Sequence, residues 1–139
     1  MAEGILKARL HDLGRNGISV SSMGIHAPEG CRASPNAVAV CAEHTIDLAG
    51  HRSRQLAYDE LKTADFIFVM EHFQREYLST FVPRASDRTF LLAAWPGTEN
   101  GRRSIPDPVG GTADEYRKIF GLIAGHIERI LPFILAELS

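Results

Sequence analysis

The sequence predicts an α/β domain built on a parallel sheet. Three short segments, at 18–21, 65–70 and 88–92, are rich in β-branched, aromatic or other apolar residues and read as strands. Between and after them, apolar residues recur at helical spacing. Strands that alternate with helices form a parallel sheet with right-handed crossovers. A chain of 139 residues is long enough for its own core, and we expect residues 1–139 to form a single domain.

The amino-terminal half is predicted to begin with a helix. Apolar residues follow helical spacing as far as Leu13, and Gly14 can adopt the left-handed conformation that ends a helix. The alternating residues 18–21 favour a strand, and residues 23–34 favour a loop because they contain two glycines and a proline. Ser34 can cap a second helix that starts with a proline, since the missing N–H has no partner to lose there.

The carboxy-terminal half alternates in the same way. Residues 65–70 form a nearly continuous apolar run, as expected of a strand covered on both faces. Residues 93–111 are rich in Gly and Pro and form the longest predicted loop. The last helix has a long apolar face from Tyr116 onward, and Pro132 should kink it. Further helices are predicted at 58–62 and 71–81.

The composition excludes several classes of function. The formal net charge is -2, from 15 basic and 17 acidic side chains, so we expect binding neither to nucleic acid nor to an anionic membrane. We find no apolar run near the roughly 18 residues of a membrane-spanning helix, and no apolar stretch typical of a signal peptide. The two cysteines do not make a disulfide framework, so the cytoplasm is the expected location.

The sequence also lacks the patterns that bind metals or nucleotides. Its six histidines are scattered and form no His-Glu-x-x-His pattern. Neither a Gly-x-Gly-x-x-Gly segment nor a Gly-Lys-Ser/Thr segment is present. We therefore expect no metal and no cofactor.

Three segments carry polar side chains suited to handling a phosphate group. They are residues 22–24 after the first predicted strand, residues 50–56 (Gly-His-Arg-Ser-Arg-Gln-Leu), and residues 105–111 in the long loop. Together with the opening residues 1–4 (Met-Ala-Glu-Gly), their order and spacing resemble the low-molecular-weight protein tyrosine phosphatases. The resemblance covers nearly the whole chain.

This resemblance implies an activity and roles for particular residues. The family hydrolyses phosphotyrosine or aryl phosphate esters through a cysteinyl-phosphate. Asp107, which precedes a proline as in the family's motif, would be the general acid that protonates the leaving oxygen. Ser22 and His51 would be supporting groups that hold the phosphate loop in shape. For Asp107, the competing interpretation is a turn residue that bonds its own backbone.

Arginines provide the possible anion contacts. Arg52 and Arg54 lie in the same segment as His51, and either could attract an anion. Most exposed arginines are merely solvated, however, and this caution also applies to Arg102 and Arg103 in the long loop.

The nucleophile of the family is missing from this sequence. In the family, the catalytic cysteine and arginine lie six residues apart in one loop, but neither Cys31 nor Cys41 is followed by arginine at that spacing. That loop immediately precedes the helix that begins here at Met1. We therefore expect a truncated chain that lacks the first strand and the phosphate loop, in which Asp107 is a remnant and the enzyme is inactive as written.

The resemblance also implies an unusual sheet. The family's fold is flavodoxin-like, with helices on both faces of the sheet, and the missing strand would be a central one. Its neighbours at 18–21 and 65–70 would each present an unpaired edge, at a cost in free energy. We expect the sheet to be rearranged or completed by a second chain, as in a homodimer through exposed edges. Ser22 and His51 would also lose their partners, and water or a second chain should replace them.

Three functional interpretations remain open. The first is a phosphatase that acts on a phosphotyrosine protein or a small aryl phosphate when complete, its start having been assigned to an internal methionine. The second is a non-catalytic pseudo-phosphatase that binds a partner. The third is a relative of the thiol-dependent arsenate reductases, which need further redox cysteines.

Overall fold

Helices account for most of the regular structure in the computed structural model, which describes residues 1–98 and 103–139. In chain order the elements are α1 (Ala2–Asp12), α2 (Pro35–Ala42), α3 (Tyr58–Thr63), β1 (Ile67–Val69), α4 (His72–Phe81), a 3₁₀ helix (Pro83–Arg88), β2 (Thr89–Leu91) and α5 (Ala113–Glu137). Arg102 and part of the predicted loop at 93–111 lie outside the described residues.

The chain separates into two compact units. The first unit contains Met1–Gln55 and Asp107–Ile127, and the second contains Leu56–Pro106 and Glu128–Ser139. The candidate site residues predicted from the sequence all belong to the first unit: Ser22, His51, Arg52, Arg54 and Asp107. The organisation as a single domain stays a prediction.

The predicted helices are confirmed, with small shifts of their ends. Gly14, at φ +68°, follows α1 in the left-handed conformation. The Oγ of Ser34 accepts a hydrogen bond from the backbone N–H of Ala37 at 3.3 Å and so caps α2. Pro132 lies inside α5, which continues to Glu137, and the kink there stays a prediction.

The predicted strand at 18–21 is not formed. These residues belong to no helix or strand, and the next pairing along the chain is a single parallel bridge between Gly24 and Gln55. A β-branched, alternating sequence favours the extended conformation, but a strand forms only where a neighbouring backbone completes the hydrogen-bond ladder. Local sequence alone did not provide that neighbour.

The second unit contains a parallel pair of strands. β1 and β2 align Ile67 with Thr89, Phe68 with Phe90, and Val69 with Leu91. This pair is the whole of the sheet within residues 1–98 and 103–139. The α/β class and the parallel pairing are therefore confirmed. The sheet is smaller than the flavodoxin-like sheet predicted from the resemblance, because the segment at 18–21 forms no strand.

The two faces of this strand pair differ in burial. Val69, Thr89 and Leu91 are buried on one face. Phe68 and Phe90 alternate with them, and their rings lie 6.1 Å apart, each within 5.6 Å of the Trp95 ring. The aromatic face is half-buried, so the aliphatic face supplies the core of this unit.

The last helix is long and apolar. Its 25 residues include an 18-residue window of mean hydropathy 1.6, which by length and composition alone would allow α5 to cross a membrane. The sequence analysis found no apolar run long enough to span a membrane, and the 18-residue window in α5 corrects that statement. Core helices of soluble proteins pass the same test, and α5 has one buried face: Tyr116, Ile119, Phe120, Ile123, Ile127, Ile130, Leu131 and Ile134.

Candidate active site

Glu3 joins the two predicted supporting residues in the first unit. Its side chain, 17% exposed, lies in the first turn of α1, where a negative charge is favoured by the helix dipole. Glu3 Oε1 accepts a hydrogen bond from Ser22 Oγ at 3.1 Å, and Oε2 lies 3.5 Å from His51 Nδ1. Lys7 Nζ donates to Oε2 at 3.2 Å. Ser22 and His51 therefore meet on one carboxylate.

This arrangement corrects the expectation that Ser22 and His51 lack partners. Glu3 supplies the acceptor for the Ser22 hydroxyl and a negative charge beside His51. Sequence reasoning treated Glu3 only as part of the opening helix. The available signal was its spacing from Lys7, because an acid four residues before a base can form an ion pair on one helix face.

The pKa of Glu3 is lowered by its surroundings. Burial acts to raise this pKa, but hydrogen bonds from Lys7 and Ser22, together with the charges of Lys7 and His51, outweigh burial and lower it. The carboxylate is therefore ionised at neutral pH and acts only as an acceptor.

A cavity of about 500 Å³ adjoins Glu3. Its walls come from the start of α1, from residues 20–21 and from the loop at 47–54. Arg52 and Arg54, the predicted anion contacts, line this cavity together with His51. Arg52 Nη1 also donates to the carbonyl of Ala49 at 3.0 Å and to that of His51 at 2.8 Å. Arg52 thus shapes the loop as well as adding positive charge, while its role toward an anion stays a prediction.

Backbone pairing holds the loop that carries His51. An antiparallel bridge joins Arg32 to Arg52, and the parallel bridge from Gly24 to Gln55 lies beside it. Ser53 strengthens the first of these pairings, because its N–H donates to the Cys31 carbonyl at 2.8 Å and its Oγ accepts from the Cys31 N–H at 3.0 Å. The residues at 24–32 therefore support the segment at 50–56.

The two cysteines occupy different surroundings. Cys31 is exposed, whereas Cys41 is fully buried in α2. Burial raises the pKa of the Cys41 thiol, and the charge of the amino terminus opposes this only in part. A buried thiol with a raised pKa stays protonated and is a poor nucleophile. Within the described ranges, no group of three or more His, Cys, Asp or Glu side chains could hold a metal ion.

Asp107 lies at the start of a tight turn in the first unit. Its Oδ1 accepts a hydrogen bond from the N–H of Val109 at 3.0 Å. The N–H of Gly111 donates to the Pro108 carbonyl at 2.8 Å, and Gly110, at φ +79°, occupies the third position of this four-residue turn. A positive φ at that position defines a type II turn and favours glycine. This bond is one that a turn residue makes with its own backbone, and the role of Asp107 as an acid stays a prediction.

The turn is also attached to α2. Asn36 Nδ2 donates to the Gly111 carbonyl at 3.1 Å. Sequence reasoning missed this residue, because a contact between positions 75 residues apart has no local signal. Among the hydrogen bonds and ion pairs of the described residues, none joins Asp107 to Ser22 or His51. The structure brings these two supporting residues together and places Asp107 in the same unit.

Comparison with known proteins identifies the class of this chain. The family described as "Low molecular weight phosphotyrosine protein phosphatase" matches residues 1–139. The chain therefore belongs to the low-molecular-weight phosphotyrosine protein phosphatase family, as the sequence resemblance implied. Because this match runs over the whole chain, it gives no support to the predicted truncation, and inactivity is not shown either.

Two similar proteins are named for different phosphorylated residues, tyrosine and arginine. The probable low-molecular-weight protein-tyrosine-phosphatase EpsP of Ralstonia nicotianae is 31% identical, with 98% of this chain and 87% of the relative covered. A protein-arginine-phosphatase of Geobacillus stearothermophilus is 35% identical, with 87% of this chain and 80% of the relative covered.

Solved structures agree with this placement. The low-molecular-weight protein tyrosine phosphatase of T. tengcongensis superposes with a TM-score of 0.86 at 32% identity, covering 94% of this chain and 87% of that chain. The YwlE arginine phosphatase of Geobacillus stearothermophilus gives a TM-score of 0.85 at 29% identity, covering 98% of this chain and 84% of that chain. The fold of this chain is therefore similar to that of enzymes named for two different phosphorylated residues.

Proposed function

We propose that this chain provides the acid and supporting groups of a low-molecular-weight phosphatase, and that the 139-residue polypeptide does not hydrolyse phosphate esters by itself. Asp107 would be the general acid, and Ser22 and His51 the supporting groups. The observation that carries the proposal is the convergence of Ser22 and His51 on Glu3, in a chain that matches the family along its whole length.

The proposed inactivity follows from the chemistry of the available groups. In this family's route a thiolate attacks phosphorus, while a guanidinium and backbone N–H groups bind the oxygens of the transferred phosphoryl group. Cys41 is buried with a raised pKa, and no arginine follows Cys31 at the family's spacing. Asp107 alone cannot replace these groups, because protonating the leaving group contributes only a part of the rate.

Turnover of para-nitrophenyl phosphate by the purified chain tests this proposal. We expect no rate above that of buffer, and the same result for Cys31→Ser, Cys41→Ser and Asp107→Asn. The preparation must come from a host strain whose own phosphatases are removed. A rate that persists in the wild type and disappears with Asp107→Asn and with one of the cysteine variants would refute the proposed inactivity.

The family's activity would return in a polypeptide that also carries the cysteine–arginine loop. The nucleotide sequence upstream of the Met1 codon decides whether such a loop is encoded in frame. An in-frame loop favours a functional phosphatase. Its absence favours the non-catalytic pseudo-phosphatase, which would use the cavity beside His51 to bind a partner.

The substrate of such a complete form is proposed to be a phosphotyrosine protein or a small aryl phosphate. Phosphoarginine is a second candidate, since one relative is named a protein-arginine-phosphatase. Val109, which follows the Asp-Pro pair, is aliphatic and 74% exposed, so it provides no ring to stack on a phenyl group. Comparing initial rates on phosphotyrosine and phosphoarginine peptides distinguishes the two. The comparison uses a polypeptide that also carries the cysteine–arginine loop, with Val109 or with Val109→Tyr. A gain by Val109→Tyr on phosphotyrosine alone would support the role of this position.

A homodimer through sheet edges is a further proposal. β1 is paired with β2 in a sheet of two strands, so the outer edges of this sheet could add a strand from another chain. Sedimentation velocity at micromolar concentration distinguishes a dimer from a monomer. The arsenate reductase interpretation has less support, because Cys41 is buried and the exposed Cys31 would need an accessible second thiol. A cytoplasmic location stays an expectation.

A further inference from the structure

We propose that Asn36 is a positioning residue for Asp107, which it holds in place through the carbonyl of Gly111. This inference depends on the proposed function, which assigns the role of general acid to Asp107. We call residues 107–111 the acid loop. The inference is that Asn36, a residue of α2, holds this loop in place.

Hydrogen bonds within the acid loop link its first residue, Asp107, to its last residue, Gly111, through the turn between them. Asp107 Oδ1 accepts from the Val109 N–H at 3.0 Å, which limits the orientations of the carboxylate. The Gly111 N–H donates to the Pro108 carbonyl at 2.8 Å and closes the type II turn. Asn36 Nδ2 then donates to the carbonyl of the same Gly111 at 3.1 Å. A displacement of Gly111 would therefore disturb the turn that orients Asp107.

The donor itself is held in a fixed place. At the amino end of α2, Ser34 Oγ donates to the hydroxyl of Tyr116, a buried residue of α5, at 3.0 Å. Just beyond the carboxy end of α2, Glu43 accepts two hydrogen bonds from Arg117 Nε, at 2.7 and 3.0 Å. Both ends of α2 are thus tied to α5. Asn36, in the first turn of α2 and half-buried, lies between these ties.

The Asn36 bond is not needed to cap either helix. Ser34 already accepts from the Ala37 N–H and caps α2. α5 is capped by the pair Thr112 and Glu115, since the Thr112 N–H donates to Glu115 Oε2 at 3.1 Å and the Glu115 N–H donates to Thr112 Oγ1 at 3.2 Å. Because both helices are capped independently, the bond from Asn36 acts on the acid loop.

NMR on the full chain tests this role with Asn36→Asp. This substitution keeps the shape of the side chain but replaces the donor by an acceptor that faces the Gly111 carbonyl. We expect the order parameters of Val109, Gly110 and Gly111 to fall from about 0.85 to below about 0.6. The Asp107 side chain, followed by its Hα–Hβ couplings, should change from one χ1 rotamer to a mixture. The order parameters of Val40 and Cys41 in α2 should not change. If Asn36 only stabilised α2, the order parameters of these two residues would fall as well.

Two further variants complete the test. Asn36→Gln keeps the amide donor and should return the loop order and the Asp107 rotamer toward the wild type. Asn16→Asp makes the same chemical change at an exposed turn residue and should leave the acid loop unchanged. If Asn36→Asp does not fold, Asn36→Ala replaces it with the same readouts.

The outcomes separate this inference from the proposed function. Unchanged loop order and an unchanged Asp107 rotamer in Asn36→Asp would overturn the role of Asn36. Equal loosening of α2 and the acid loop would overturn it as well, because that result describes a structural residue. None of these readouts needs turnover, so a failure of the phosphatase proposal in the rate experiment leaves the result for Asn36 interpretable.

Discussion

Glu3 is the residue that connects the supporting groups of the candidate site. Its carboxylate binds Ser22 and Lys7 and lies beside His51, so one charge orients side chains from three separate segments. A carboxylate with a lowered pKa stays ionised over the pH range in which most proteins act. Removing its charge would leave Ser22 with a weaker acceptor and would take away the negative charge beside His51.

Glu3 should make the stability of the protein dependent on acidic pH. Because its pKa is lower in the folded state than its ordinary value of 4.5, the folded state binds fewer protons than the unfolded state below that pH. The contribution to stability is complete above about 4.5 and is lost as the pH falls through the lowered pKa. We expect Glu3→Gln to be less stable than the wild type at pH 7, with the difference in free energy of unfolding shrinking on acidification.

Urea unfolding between pH 7 and pH 3 measures this difference. Glu76→Gln, which alters an exposed glutamate of α4, is the matched control and should not show the same convergence with the wild type. A difference between Glu3→Gln and the wild type that stays constant with pH would contradict the assignment.

The acid loop shows how a short element depends on one backbone conformation. Gly110 has φ +79°, and a side chain there would be strained even though no atom lies within 4 Å of the position its Cβ would take. The cost therefore arises from the backbone and not from crowding. A side chain at Gly110 therefore costs free energy although space is open around it.

Two glycine substitutions should change stability in opposite directions. We expect Gly110→Ala to destabilise the fold by about 1 kcal/mol, because alanine disfavours the left-handed region. Gly125→Ala, in the exposed face of α5 with no neighbour within 4 Å of its Cβ, should stabilise it by up to about 1 kcal/mol, since alanine favours the helix. Thermal unfolding of both variants checks the prediction, and equal effects would show that the turn carries no strain.

At the scale of the whole molecule, α5 decides how much apolar surface is removed from water. Its buried face runs from Tyr116 to Ile134, so it contributes to the cores of both units. Its opposite face contains Leu122, which is 41% exposed, and several charged residues. This one-sided burial is the pattern of a core helix and not of a helix surrounded by lipid.

A pair of aspartate substitutions distinguishes a core helix from a membrane helix. Ile123 is 5% exposed, and we expect Ile123→Asp to destabilise the chain by several kcal/mol, because the charge would be buried without a partner. Leu122→Asp, one residue earlier on the exposed face, should change stability by no more than about 0.5 kcal/mol. Chemical unfolding of the chain in detergent-free buffer measures both. Dependence of folding on lipid or detergent would contradict the expected pattern.

The chain's family and most of its helices could be predicted without coordinates. Helix ends carry local signals, such as Ser34 before a proline and Gly14 after the last apolar residue, and the structure has both where expected. The order of Ser22, His51 and Asp107 along the chain was enough to indicate the family, which the comparison confirmed. Helix ends depend on neighbouring residues, and the family depends on the order of its motifs. Both kinds of information are present in the sequence.

Contacts between distant segments were decided only by the tertiary structure. The segment at 18–21 has the residues of a strand but forms none, because the ladder depends on a backbone elsewhere in the chain. The partner of Ser22 and His51 was Glu3, 19 residues before Ser22, and the attachment of the acid loop was Asn36, 75 residues before Gly111. Hydrogen bonds of this kind are selected by packing of whole elements, and no local pattern records them.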